Sequence, residues 1–74
     1  MAEHLLNAEG LNCPLPILKA KKMLKDVPPG EILKVRATDP GSVADFAAFC
    51  RQTGNELLNS GTEGDIYTFE IKRA

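Results

Sequence analysis

Reactive side chains are few in this chain, and one of them sits in a setting that could use it. Cys13 opens the run Cys13-Pro14-Leu15-Pro16, directly after Gly10-Leu11-Asn12. The thiolate is the nucleophilic form of cysteine. A helix N-terminus favours it, because unpaired backbone N–H groups point outward there and the dipole welcomes negative charge. Pro14 suits a first helical position, where its missing N–H costs nothing. Pro14 and Pro16 leave only the N–H groups of Leu15 and Ile17 in that turn, so the prolines read as stiffeners. They fix φ and, with the turn ending at Asn12, hold the sulfur in one place. The expectation is a rigidly aimed thiolate, more acidic than a free cysteine, at the start of a short helix.

A lone thiolate has few uses. Acyl transfer needs a histidine base held by a third group. The single histidine, His4, falls in what reads as a frayed N-terminal region, and nothing ties it to Cys13. Cys13 belongs to no Cys-x-x-Cys pair, so dithiol exchange lacks its resolving partner. The other cysteine, Cys50, shares a helical stripe with Val43, Phe46 and Ala47 and reads as core packing. Two scattered cysteines and one histidine are too few for zinc, and neither metal nor cofactor is expected. Accepting a sulfane sulfur asks for less. A thiolate attacks a donor persulfide, keeps the outer sulfur and later yields it to an acceptor thiolate, following the logic of thiol–disulfide exchange. Two rivals stand beside this reading: a non-catalytic interaction or regulatory module with an incidental cysteine, and a small thiol redox sensor.

The elements that must position Cys13 follow from periodicity. Glu3 to Glu9 reads as a first strand. Ile17, Ala20, Leu24 and Val27 recur at helical spacing, so a helix is expected from Pro14 to Lys25, ended by Pro28-Pro29-Gly30. From Glu31 to Thr38 the chain alternates, with Leu33, Val35 and Ala37 on one face and Lys34 and Arg36 on the other. Asp39-Pro40-Gly41 turns the chain. Asp39 is read as accepting local backbone bonds, with a role in a partner surface only if its loop lies near Cys13. Ser42 with Asp45 suggests a capping box for a second helix that stops at Gly54, after Thr53. Glu56 to Asn59 and Ile66 to Lys72 read as strands joined by a Gly61-Thr62-Glu63-Gly64 turn, with Tyr67, Phe69 and Ile71 on one face. The order β-α-β-α-β-β implies an α/β fold, a two-layer sandwich. Parallel pairing across each helix and a closing hairpin would give a mixed four-stranded sheet with both helices on one face.

Size and charge narrow the function classes. The 74 residues make one small domain, 1–74. A net charge of -1 speaks against a polyelectrolyte role. No apolar run is long enough for a bilayer. The opening Met1-Ala2-Glu3-His4-Leu5-Leu6 is too short and polar for a signal peptide, which points to the cytoplasm. No large apolar face is left over, so a monomer is expected between encounters.

Taken together, Gly10-Leu11-Asn12-Cys13-Pro14-Leu15-Pro16, then Pro29-Gly30-Glu31, then Asp39-Pro40, resemble the TusA/SirA/YedF family of sulfur carriers. The similarity covers nearly the whole chain, in order and at family spacing, and Cys-Pro-x-Pro after Gly-Leu is highly specific in so short a domain. It implies the same two-layer fold, a persulfide-bearing cysteine at Cys13, motif prolines at Pro14 and Pro16, and a non-essential helix cysteine at Cys50. It also implies donors of the cysteine desulfurase or rhodanese kind. The acceptor would be a further sulfurtransferase or sulfur-oxidation protein, with destinations in sulfur oxidation, tRNA thiolation or cofactor assembly. Some tRNA-thiolation members carry an acidic residue between the prolines. Leu15 stands there instead, which tilts the expectation toward sulfur oxidation or general sulfur trafficking.

A carrier must show its sulfur to partners. With Ile17, Ala20 and Leu24 turned inward, Leu15 and Leu18 fall outward with Lys19, Lys22 and Lys25. Leu15 and Leu18, rimmed by Lys19 and Lys22, are therefore the expected docking patch. Lys19, Lys21, Lys22 and Lys25 could be read as an RNA surface. A solvated helix face explains them better, and no aromatics accompany them for stacking, so direct nucleic-acid binding is not expected.

Overall fold

The computed structural model describes residues 4–74. Its elements are β1 (His4–Ala8), α1 (Leu15–Leu24), β2 (Ile32–Ala37), α2 (Ser42–Thr53), β3 (Glu56–Glu63) and β4 (Ile66–Lys72). The expected strand start at Glu3 lies outside the described residues. Alternation sets the central strand as expected: Leu33, Val35 and Ala37 are buried, while Lys34 and Arg36 are exposed. The buried face of the sheet meets both helices, which also contact each other, giving two layers.

The strand order is β1-β2-β4-β3. β1 pairs parallel with β2, as a crossover through α1 requires. Parallel pairing across the second helix does not occur. β4 inserts between β2 and β3 and runs antiparallel to both. Burial explains this order. Phe69 and Ile71 of β4 are fully covered and need neighbours on both sides, whereas β3 is mostly exposed and suits an edge. A bulge at Leu58 further marks β3 as an edge.

β3 also runs four residues past its expected end, and the hairpin loop is Gly64-Asp65. Gly61 is not a turn residue. It pairs with Thr68 inside the ladder, where a Cβ would lie 3.1 Å from the Thr68 hydroxyl. Gly64, with φ +61, makes the turn.

Helix α2 is phased differently from the expected stripe. It buries Ser42, Phe46, Phe49 and Cys50, while Val43 is 40% exposed. At about 100° per residue, Phe46, Phe49 and Cys50 share one side, and Val43 lies beyond its edge. Phe46 stacks on Phe69 of β4 with ring centroids 4.6 Å apart. That contact locks α2 onto the sheet. Helix α1 buries Ala20 and Leu24 as expected, with Ile17 only half-buried and Pro16 fully covered. Among the described residues no helix is long and apolar enough to cross a membrane.

Candidate functional site

Because β1 and β2 are parallel, Ala8 and Ala37 end at the same edge of the sheet. The two chain segments leaving that edge build the site, where open parallel sheets commonly present their binding groups. His4 starts β1 at the opposite edge, roughly 13 Å from Ala8 at about 3.3 Å per residue. It is half-buried and not frayed, because its Nε2 bonds the Glu31 carboxylate at 2.8 Å. The imidazole is thus placed away from Cys13.

The turn after β1 is tied to the turn after β2. Gly10, at φ +80, donates its N–H to the Thr38 hydroxyl at 2.9 Å. Three residues on, the Cys13 N–H donates to Asp39 Oδ2 at 2.9 Å. The other Asp39 oxygen accepts the Gly41 N–H at 3.2 Å. Asp39 therefore accepts a local backbone bond, as expected, and also anchors the backbone of Cys13, which the sequence did not suggest. Pro40 beside it is exposed.

The Ser42–Asp45 capping box does not form. Gly41 occupies the N-cap of α2 with no side-chain bond. Ser42 is buried and donates its hydroxyl to the Asp39 carbonyl at 2.6 Å. Asp45, in the first turn, is left to accept the Cys13 thiol, with Sγ 2.8 Å from Oδ2. Asp45 is the partner of Cys13 that sequence reasoning missed. Its position three residues after a serine accounted for it locally, and nothing local pointed toward Cys13.

These contacts reverse the expected acidity of Cys13. Its thiol is held above the ordinary range, first by the hydrogen bond to Asp45, then by slight desolvation and the negative charges of Asp45 and Asp39. The first turn of α1 gives little in return. The Leu15 N–H is spent on the Asn12 carbonyl at 2.8 Å, and the two prolines have none. These contacts favour the thiol over the thiolate, and Cys13 is exposed and free of any disulfide.

The prolines divide their work differently from the expectation. Pro14 is the N-cap of α1, joined to Cys13 by a cis peptide bond, and Leu15 and Pro16 are the first helical residues. Pro16 is fully buried in the first turn of α1. Asn12 shapes the turn through its backbone carbonyl.

Cys13 stands on the rim of an open groove of about 240 Å³ between α1 and α2, with Ile17, Ala48, Phe49 and Gln52 along it. Leu15 and Leu18 are 45% and 54% exposed on α1. Lys19 and Lys22 share that stripe by their spacing. They open onto a separate depression with Leu6, Met23 and Asp26. Leu15 and Leu18 are thus available for docking, but the two lysines do not line the groove of Cys13. Cys50 is buried in the core, and burial pushes its thiol up, matching its reading as packing. Among the described residues no cluster of three His, Cys, Asp or Glu side chains could hold a metal ion.

Comparison with known proteins gives a consistent picture. The family model described as sulfurtransferase TusA matches residues 4–73. The sulfur carrier protein TusA of Allochromatium vinosum is 59% identical over 69 residues, covering 93% of this chain and 91% of its own length. A putative sulfur carrier protein of Neisseria meningitidis is 46% identical over 72 residues, covering 97% of each chain. The sulfur carrier protein TusA of Pseudomonas aeruginosa is 39% identical over 71 residues, covering 96% of this chain and 90% of its own length.

Proposed function

The chain belongs to the TusA sulfurtransferase family, and from that premise we propose that it relays sulfane sulfur as a persulfide on Cys13. The observation that carries the reading is the setting of that thiol. It is exposed on the rim of an open groove, and its backbone is anchored by Asp39. Pre-organisation of one sulfur atom is what a relay between two partner proteins needs. The chemistry is a transfer without net oxidation. Cys13 Sγ bonds the outer sulfur of the donor persulfide, the donor S–S bond breaks, and the donor leaves as a thiol. An acceptor thiolate then removes the carried sulfur by the same step.

The donor we infer is a cysteine desulfurase or rhodanese, and the acceptor is a further sulfurtransferase or sulfur-oxidation protein. Leu15 and Leu18 form the apolar part of the docking surface, and their exposure supports this. Leu15, standing where some tRNA-thiolation members carry an acidic residue, tilts the reading toward sulfur oxidation or general sulfur trafficking.

Intact mass after incubation of the reduced protein with a sulfane donor tests the proposal. One added sulfur is expected on the wild type and on Cys50→Ser, and none on Cys13→Ser. No adduct on the wild type overturns the relay and leaves an interaction module. Sulfenic acid or mixed disulfide without sulfane transfer leaves a redox sensor.

A further inference from the structure

Asp45 has no part in capping its own helix, yet its carboxylate meets the one sulfur the relay depends on. We propose that Asp45 is the proton keeper of Cys13: through its hydrogen bond it holds the sulfur as a thiol in the unloaded carrier, and that hold ends when the sulfur is loaded. This deepens the relay reading and rests on it.

Geometry carries the assignment. Sγ and Asp45 Oδ2 are 2.8 Å apart, and the thiol is the donor. The charged groups facing the sulfur are Asp45 from α2 and Asp39 from the loop before it. Asp39 has already committed Oδ2 to the Cys13 N–H and Oδ1 to Gly41, so only Asp45 meets the sulfur itself. Helix α1 brings Pro14 and Ile17 to the groove, and no cation lines it among the described residues. The sulfur thus faces two carboxylates and no cation of the groove, which agrees with its thiol being held above the ordinary range.

The step balances. Cys13 releases its proton from the Asp45 hydrogen bond, and Sγ attacks the outer sulfur of a donor persulfide. The new Sγ–S bond forms as the donor S–S bond breaks. The electron pair leaves on the donor sulfur, which takes up the proton that Cys13 released. Thiol plus persulfide becomes persulfide plus thiol, with no oxidant or reductant consumed. Once loaded, Sγ has no proton to donate, so this hydrogen bond belongs to the empty carrier alone.

The test is the pH profile of Cys13 alkylation by iodoacetamide in a Cys50→Ser background, for the parent, Asp45→Asn and Asp45→Ala. The expected result is a midpoint shifted to lower pH in both variants. A shift of one unit raises the thiolate fraction about tenfold and lowers its intrinsic nucleophilicity about threefold. Labelling at neutral pH should then rise by about threefold. The urea-unfolded parent serves as a reference that needs no substitution at Asp45, and its midpoint should lie below that of the folded parent. A midpoint unmoved or raised in either variant, or equal in folded and unfolded parent, overturns the proposal. Sulfane loading of the parent is read in parallel. Its absence overturns the relay, while the alkylation profile still judges Asp45.

Discussion

The carboxylate of Asp39 reaches back across the sheet edge to hold the backbone of Cys13, 26 positions earlier in the chain, through an N–H···Oδ2 bond of 2.9 Å. The loop before α2 thereby becomes part of the turn that displays the sulfur. Charge-assisted bonds of this kind are directional and fix a donor more tightly than neutral ones.

Removing that anchor should loosen the sulfur without removing it. Asp39→Ala is expected to slow sulfur loading from a persulfide donor by about tenfold, within the range that small misplacements of reacting groups cost. Loading kinetics by quenched intact mass would show it. A rate equal to wild type in a folded variant would mean that the prolines alone aim the sulfur.

The two leucines on α1 predict a split between donors. Leu18→Glu should cut transfer from a protein donor by about tenfold, an effect typical of losing a docking contact. It should leave loading by a small sulfane compound unchanged, since Leu18 does not line the groove of Cys13. Parallel assays with the two donor types separate docking from chemistry.

Phe46 predicts the sensitivity of the core. Its ring is fully buried against Phe69. Phe46→Ala should cost about 3–5 kcal/mol. For so small a domain that corresponds to a fall in Tm of at least about 12 °C, readable by thermal denaturation. Cys50→Ala removes far less volume from the same core. It should cost only about 1 kcal/mol and leave sulfur loading intact.

The thiols predict how stability changes in alkali. Both Cys13 and Cys50 are raised in the folded state, Cys13 chiefly by its Asp45 hydrogen bond and Cys50 by burial. A raised thiol binds its proton more tightly when folded. Its contribution is complete below the unfolded thiol range and is lost as pH rises through the folded one. Urea midpoints should therefore fall on going from neutral to strongly alkaline pH. The decline should be shallower in a Cys13→Ser, Cys50→Ser double variant. Equal declines in both proteins would count against the thiol contribution.

Local patterns carried much of the fold. The alternation of Leu33, Val35 and Ala37 announced β2, and the spacing of Ala20 and Leu24 announced α1 and its inward face. Cys13 stood out because a cysteine between a Gly-Leu turn and two prolines is a local signal. Local signals also misled where one residue type serves two ends. Gly61 reads as a turn but lies in β3, where its missing Cβ lets Thr68 come close. Val43 reads as core, but the stripe of α2 is centred on Phe46 and Phe49, and the docking of Phe46 on Phe69 decided that phase.

By itself, then, the sequence determined the order of helices and strands, the buried faces of α1 and β2, and which atom is displayed. These depend on residues a few positions apart. Only the tertiary structure decided that β4 lies between β2 and β3, and that Asp39 and Asp45 converge on Cys13. Those outcomes depend on how distant segments share one sheet edge. A carboxylate 32 residues away leaves no periodic trace near the thiol it holds. The physical reason is that hydrophobic spacing encodes which side of an element faces inward, while electrostatic partners are chosen by the packing that follows.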